Sequence, residues 1–229
     1  MVLRKRKRKV VAEYDAGVYN CKVGRDHGVV HDFVVDLLTH HNLKVLLLQE
    51  ASNYQKVLGQ IKGYTLYQYD TYPDSDDLAI LVKDGWVSRF RFLKQMSLRW
   101  WGAKNRKWRA PKAILGVRAW KVLWVNWHRA AYQNAKGGYN KKVNAEQDNW
   151  VIQQFKATKR RIGISGDFND GKTSEPMQRV IDEIGLDVIG DGIEFVMYMG
   201  NVEMSNFRKL EKDGGSDHHP KVWHVTVYR

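Results

Sequence analysis

The chain is 229 residues long, with 38 Lys and Arg against 25 Asp and Glu, a formal net charge of +13 and 43% apolar residues. That length and apolar content suffice for a real core and exclude wholesale disorder. The single cysteine, Cys21, excludes a disulfide-stapled scaffold and a cysteine-built zinc site, and favours a reducing compartment. No apolar run is long enough to cross a bilayer, and the cationic excess points to a polyanionic partner, nucleic acid or an anionic membrane surface.

Residues 1–9 read as a basic tail. Glu13 and Asp15 interrupt the apolar stretch that a signal peptide needs after such a tail, so none is expected and the expected location is intracellular. It is cytoplasmic, or nuclear if the tail serves as an address. Residues 10–229 carry no internal repeat, no Ser/Gly linker and few prolines, and read as one domain. An apolar run from Val10 ends at Asn20. Residues 31–41 read as a helix with Phe33, Val34, Leu37 and Leu38 on one face, residues 44–50 as a buried strand ending at Glu50, and residues 53–61 as a second helix. Strand-like runs follow at 77–83, 114–117 and 122–127, the last β-branched and aromatic. Residues 144–157 read as a helix, 161–165 as a strand, 174–184 as a helix with Ser174 as N-cap and Pro176 in its first turn, and 222–228 as a closing strand. There are more strands than a simple βα alternation supplies, which predicts a layered α/β or α+β domain.

Polar residues recur at the ends of these runs: Asn20, Glu50, His128, then Asp167 and Asn169, and finally Ser216-Asp217-His218-His219-Pro220 before the last strand. A rim at strand ends is where a paired backbone can present side chains for chemistry. Taken singly, each such residue has an ordinary structural explanation. Together they supply carboxylate and amide oxygens, which are hard ligands for Mg²⁺ or Mn²⁺, and imidazoles that exchange protons near neutral pH. Phosphodiester hydrolysis needs these parts.

Gly166-Asp167-Phe168-Asn169 together with Ser216-Asp217-His218-His219-Pro220 resembles the paired signature of the endonuclease/exonuclease/phosphatase superfamily, the DNase I-like fold. Gln49-Glu50, Tyr19-Asn20 and Val125-Asn126-Trp127-His128 resemble its other motifs, in the family's order across nearly the whole chain. The resemblance implies an α/β (α+β) four-layer αββα sandwich with two mixed sheets and a site at one end. It implies that Glu50 holds the divalent metal, Mg²⁺ or Mn²⁺, assisted by Asn20 and Asp217. Asp167 would orient or activate water and Asn169 would bind the phosphate. His218 would act as acid/base or stabilise the pentacovalent phosphate, with His128 across the scissile bond. The family orients the second histidine with an Asp; here Glu194 stands in that place. His219 reads as a neighbour.

A rival pattern is present. Residues 166–173 fit the phosphate-binding loop G-x-x-x-x-G-K-[ST] letter for letter, between a predicted strand and a predicted helix. Asp167 and Asp170 would set two carboxylates where amides must cradle phosphate, and the reading leaves Glu50, His128 and residues 216–220 unexplained.

The fold does not fix the substrate. Residues 89–112 hold nine Lys and Arg and no acid, interleaved with Phe90, Phe92, Trp100, Trp101 and Trp108. Cations for phosphates beside rings for bases suit a nucleic-acid groove, and Arg99, Trp101, Arg106, Lys107, Trp108 and Arg109 are the candidate contacts. The expected protein is a metal-dependent nuclease acting on DNA as a monomer. The alternatives are a phosphatase or phosphodiesterase of inositol or lipid headgroups, and a non-catalytic nucleic-acid binder of the same fold.

Overall fold

The computed structural model describes residues 8–22, 24–68, 78–91, 114–129 and 139–229. In chain order the elements are β1 (Val10–Asn20), α1 (His27–His40), β2 (Leu43–Gln49), a 3-10 turn (Ser52–Tyr54) running into the one-turn α2 (Gln55–Leu58), β3 (Tyr64–Gln68), β4 (Ala79–Lys83), β5 (Val87–Arg91), β6 (Ile114–Ala119), β7 (Val122–Trp127), α3 (Tyr139–Phe155), β8 (Ile162–Ser165), α4 (Glu175–Ile184), β9 (Asp187–Asp191), β10 (Glu194–Met199), β11 (Val202–Lys209) and β12 (Lys221–Tyr228). The strands form two six-stranded sheets, ordered β11-β12-β1-β2-β4-β3 and β5-β6-β7-β8-β10-β9. Each is mixed, with one parallel pair at its centre, β1 beside β2 and β7 beside β8.

Side-chain alternation along the central strands builds the layers. On β2, Val45 and Leu47 point into an inter-sheet core shared with Tyr14, Val117, Trp124 and Trp223. Leu46 and Leu48 point outward onto Val30, Val34, Leu37 and Leu38 of α1. On β7 and β8, Val125, Trp127 and Ile164 pack outward against Val151 and Phe155 of α3 and Val180 and Ile181 of α4. The central strands are thus buried on both faces, which is why they read as continuous apolar runs. The result is the expected helix–sheet–sheet–helix sandwich. Gly163 is part of how the sheets close: a Cβ there would meet Met204 Cε and Trp124 Cζ3 at 2.6 Å.

Helix ends follow their caps. Asp26 Oδ1 accepts from the amides of Gly28 and Val29 at 2.8 and 3.0 Å, so α1 begins a turn earlier than its apolar face predicts. Ser174 caps α4, and Gly185 ends it in the left-handed conformation, φ 77°. The helix expected over 53–61 is shorter, a 3-10 turn plus α2. Among the described residues no helix is long and apolar enough to cross a membrane.

Candidate active site

Strand direction gathers the polar residues at one rim. β1 and β2 run parallel, with Asn20 paired to Gln49 at their ends. β12 is antiparallel to β1, so its first residue, Lys221, lies opposite Val18 near that rim. In the other sheet, β7 and β8 run parallel, with Asn126 paired to Ser165. β10 is antiparallel to β8, so Glu194 starts at the rim where Ser165 ends. One sheet therefore brings Asn20, Glu50 and residues 216–221, and the other brings His128, Asp167, Asn169 and Glu194.

A buried amide pair bolts the two sheets together beneath this rim. Gln49 Nε2 donates to Asn126 Oδ1 at 2.6 Å, and Asn126 Nδ2 donates to the carbonyls of Leu48 and Ala79 at 2.8 and 2.9 Å. Gly166 lets β8 turn into the site against the neighbouring strand: a Cβ there would lie 2.0 Å from the Trp127 carbonyl oxygen. Three residues around the rim, Lys22, Glu50 and Asn169, hold left-handed backbone (φ 57°, 52° and 51°) although none is glycine, a local cost typical of functional sites.

Asp167 is the hub. It is 2% exposed. Its Oδ2 accepts from Asn20 Nδ2 at 3.2 Å and stands 3.9 Å from His128 Nε2 and 3.7 Å from His218 Nε2. Its Oδ1 accepts from the Asn169 amide at 2.9 Å. Asn20 Nδ2 also donates to Glu50 Oε1 at 3.2 Å, so one amide draws two carboxylates together. Asn20 Oδ1 accepts from the Lys22 amide at 3.0 Å, which sets the amide's orientation, and Asn20 meets the acids as a donor. Ser216 Oγ donates to the Asn20 carbonyl and accepts from the His218 amide, fastening the loop before β12 to the end of β1.

His218 Nδ1 lies 2.6 Å from Glu194 Oε1. The carboxylate accepts, so Nδ1 carries the proton and Nε2 faces Asp167. The other oxygen of Glu194 contacts the ammonium of Lys221, which also donates to the His219 carbonyl at 2.8 Å. Lys221 is 7% exposed. Burial lowers its pKa to about 8, against the opposing pull of Asp167 and Asp191. Asp217 is the open member, its side chain 62% exposed and 3.4 Å from Lys22 Nζ. Burial alone would raise its carboxyl pKa, but its own backbone amide, His218 and Lys22 hold it below the usual carboxylate range. Asn169 Nδ2 donates to the Arg129 carbonyl at 2.8 Å, and His219 Nδ1 meets the Leu210 carbonyl at 2.9 Å, away from Asp167.

All eight candidate residues at the strand ends thus join one network. Arg99, Trp101, Arg106, Lys107, Trp108 and Arg109 lie outside the described residues. Buried polar residues to which the sequence assigned no role include Lys221, the sheet-bridging Asn126, and Arg129, whose guanidinium lies 2.9 Å from Asp148 and 3.2 Å from Asp170. Asn126 stands inside an apolar run, Arg129 two residues past the end of the same run, and Lys221 directly before the closing one.

The donor set suits a hard divalent cation, because carboxylates crowd a rim that reaches solvent at Asp217. Asp167, Glu194 and His218 lie close enough for their ligand atoms to meet one ion. His218 and Lys221 already occupy both oxygens of Glu194, however, and that trio reads better as a proton and charge relay. The carboxylates of Glu50 and Asp217 are of a type that could hold such an ion. The loop after β8 is no phosphate cradle: Asp167 takes its amide, and Lys172 Nζ donates to the Gly190 carbonyl.

No family model and no curated protein matches the sequence. Solved structures match its shape. An endonuclease/exonuclease/phosphatase from Bacteroides vulgatus superposes with a TM-score of 0.69 at 12% identity, over 95% of this chain and 100% of the other. The human Nocturnin catalytic domain with bound sulfate gives 0.67 at 14%, covering 96% and 97%. A mannosyl-6-phosphatase from Bacteroides thetaiotaomicron gives 0.61 at 12%, covering 93% and 99%. The chain has the endonuclease/exonuclease/phosphatase fold. Likeness at such identity is one of architecture. The same fold carries a phosphatase among these neighbours, so the chemistry of this endonuclease/exonuclease/phosphatase-fold chain rests on its own site.

Proposed function

We propose that the chain is a divalent-metal-dependent phosphodiesterase acting on nucleic acid, with DNA as its substrate. The observation that carries this reading is Asp167, buried between two histidine Nε2 atoms and hydrogen-bonded to the amide that also draws in Glu50. Glu50 and Asp217 would hold Mg²⁺ or Mn²⁺, with Asn20 orienting Glu50. A divalent ion bound there neutralises phosphate charge and polarises the ester. Asp167 orients the attacking water and takes its proton. His218, fixed through Nδ1 by Glu194, would act as an imidazolium, donating its Nε2 proton to the leaving oxygen, and His128 supports the opposite side. Asn169, its amide held by the Arg129 carbonyl, closes the floor beside the phosphate.

The preference for nucleic acid is supported by charge and by connectivity. β5 ends where Arg91 pairs with Gly116, and β6 begins where Ile114 pairs with Trp127, next to His128. Arg91, the last described residue before the basic aromatic segment, and Ile114, the first after it, therefore both lie toward the His128 end of β7. A phosphate-monoester reading is kept by the phosphatase among the structural neighbours.

Incubation with supercoiled plasmid, single-stranded DNA, RNA, inositol phosphates and a sugar phosphate, with and without Mg²⁺, tests the proposal. Plasmid nicking that needs the metal, stops in EDTA and falls about 10³-fold or more in Asp167→Asn is the expected result. Lys172→Ala should cleave like the parent. Full activity in EDTA, or hydrolysis confined to the monoesters, overturns it.

A further inference from the structure

Among the described residues the buried cations are Lys221 and Arg129, and each stands behind one of the two histidines whose Nε2 atoms face Asp167. Lys221 backs His218 through Glu194. Arg129 directly follows His128 at the end of β7, and the proposed reaction gives its charge no part. It is 0% exposed, so the guanidinium does not meet substrate. Three groups hold that guanidinium. Nη2 lies 2.9 Å from Asp148 Oδ2 on α3, Nη1 lies 3.2 Å from Asp170 Oδ2 in the loop after β8, and Cζ lies 5.8 Å from the centre of the Trp127 ring. The backbone of Arg129 is tied to the same loop through both its polar groups. Its amide donates to the Asp167 carbonyl at 3.0 Å, and its carbonyl accepts from Asn169 Nδ2 at 2.8 Å.

We propose that Arg129 is the positioning residue for Asn169. Its guanidinium clamps the loop through Asp170 and α3 through Asp148, and so fixes the carbonyl that aims the Asn169 amide at the phosphate. This rests on the reading of Asn169 as the phosphate-binding side chain. Asn169 holds left-handed backbone without being glycine, φ 51°, a conformation that persists where its surroundings over-determine it. Asp167 Oδ1 takes its backbone amide, the Arg129 carbonyl takes its side chain, and the next residue, Asp170, is pinned by the guanidinium. One Nδ2 hydrogen is thereby committed to Arg129, which leaves the other to offer a phosphoryl oxygen.

Fold stability is a poor explanation of this clamp. A guanidinium and two carboxylates are costly to strip of water, and packed hydrocarbon in their place often does as well or better. The cost is visible in the cluster itself. Arg129 Nε and Asp148 Oδ1 are buried with no hydrogen-bond partner among the described residues. Burial also pushes the Asp148 carboxyl up to about 6, against the pull of Arg129. A charged fork supplies what hydrocarbon lacks, a fixed direction for each group that it holds.

Asp170→Ala in the full chain is the test, because it frees the loop and still leaves the guanidinium paired with Asp148, so the variant should fold. On plasmid with Mg²⁺, kcat should fall about 10–100-fold with KM nearly unchanged. Asp170→Asn, which keeps an acceptor for Nη1, should regain part of that rate. In an Asn169→Ala background, Asp170→Ala should cost at most about twofold, because no amide remains to be misplaced. A merely structural role costs the same in both backgrounds. Exchange of the Asn169 Nδ2 hydrogens with water, followed by NMR without substrate or metal, should quicken at least about tenfold in Asp170→Ala. Arg129→Lys keeps the charge and loses the fork, and should follow Asp170→Ala in both readouts; if it does not fold, the Asp170 variants decide alone. Exchange as slow as in the parent overturns the inference, as does a kcat that is unchanged in Asp170→Ala or lowered equally in both backgrounds. If the parent hydrolyses no ester, the phosphodiesterase reading falls, and the exchange rates alone decide whether Arg129 holds Asn169.

Discussion

Lys221 is the residue whose surroundings most constrain the chemistry. Its ammonium contacts one oxygen of Glu194 while His218 takes the other, so the imidazole is aimed by a carboxylate that is itself held. Lys221→Met should therefore leave Glu194 free to rotate and lower kcat by about 10–100-fold, the usual cost of losing an outer orienting partner, with KM nearly unchanged. Lys221→Arg, which keeps the charge, should restore part of the rate. Stability adds an independent readout. The folded pKa of about 8 lies below the ordinary 10.5, so between these values the unfolded chain binds more protons. This group's cost to folding is then complete below pH 8 and is relieved as pH rises toward 10.5. Melting curves from pH 7 to 10.5 should show that relative gain in the parent and not in Lys221→Met. Equal pH slopes, or a rate loss that the Arg variant fails to recover, would remove Lys221 from the positioning chain.

At the scale of elements, the rim depends on the close approach of β8 to β7. A Cβ at Gly166 would strike the Trp127 carbonyl at 2.0 Å, and backbone cannot swing aside as a side chain can. Gly166→Ala should destabilise by at least about 3 kcal/mol and lower the melting temperature by about 6–12 °C for a chain of this size. Gly171→Ala, where an added Cβ meets nothing within 4 Å, is the control and should melt within about 2 °C of the parent. The same packing explains what could be read in advance. β2, β4, β7, β8 and β12 lie inside their sheets and appear as apolar runs. The strands that gave no clear signal, β3, β5, β9 and β11, are the four edges. β3, β9 and β11 are mixed in burial, β9 for example being exposed at both ends and half-buried between them, and an edge strand lacks the two-sided burial that makes sequence legible. The strand-end residues of the site were legible because motif and apolar run coincide at Glu50, His128 and Asp167. Lys221, Asn126 and Arg129 were not, since a buried polar residue is explained only by partners distant in sequence: Asn126 by Gln49, Arg129 by Asp148 and Asp170, Lys221 by Glu194.

For the whole molecule, the net charge of +13 serves the proposed nuclease activity only if part of it is directed at the substrate. The strands that flank the segment with Arg99, Arg106, Lys107 and Arg109 end at Arg91 and begin at Ile114, both toward the His128 end of β7, whereas Lys121, Lys159 and Arg160 lie at the opposite ends of β7 and β8. If the four cations contact backbone phosphates, each displaces condensed counterions, with a salt slope of about −0.9 per contact on duplex DNA. Replacing all four by Ala should flatten the plot of log affinity against log salt by about three to four units. Cleavage at saturating substrate should barely change, because uniform binding governs KM more than kcat. Lys121→Gln/Lys159→Gln/Arg160→Gln, at exposed side chains of the far rim, serves as the geometric control: it removes three charges from the same total and should leave the DNA slope unaltered. A slope that falls equally in both variants would mean that DNA responds to net charge alone. An unchanged slope in the quadruple variant would turn the substrate question back to the small phosphate esters that the fold also accommodates.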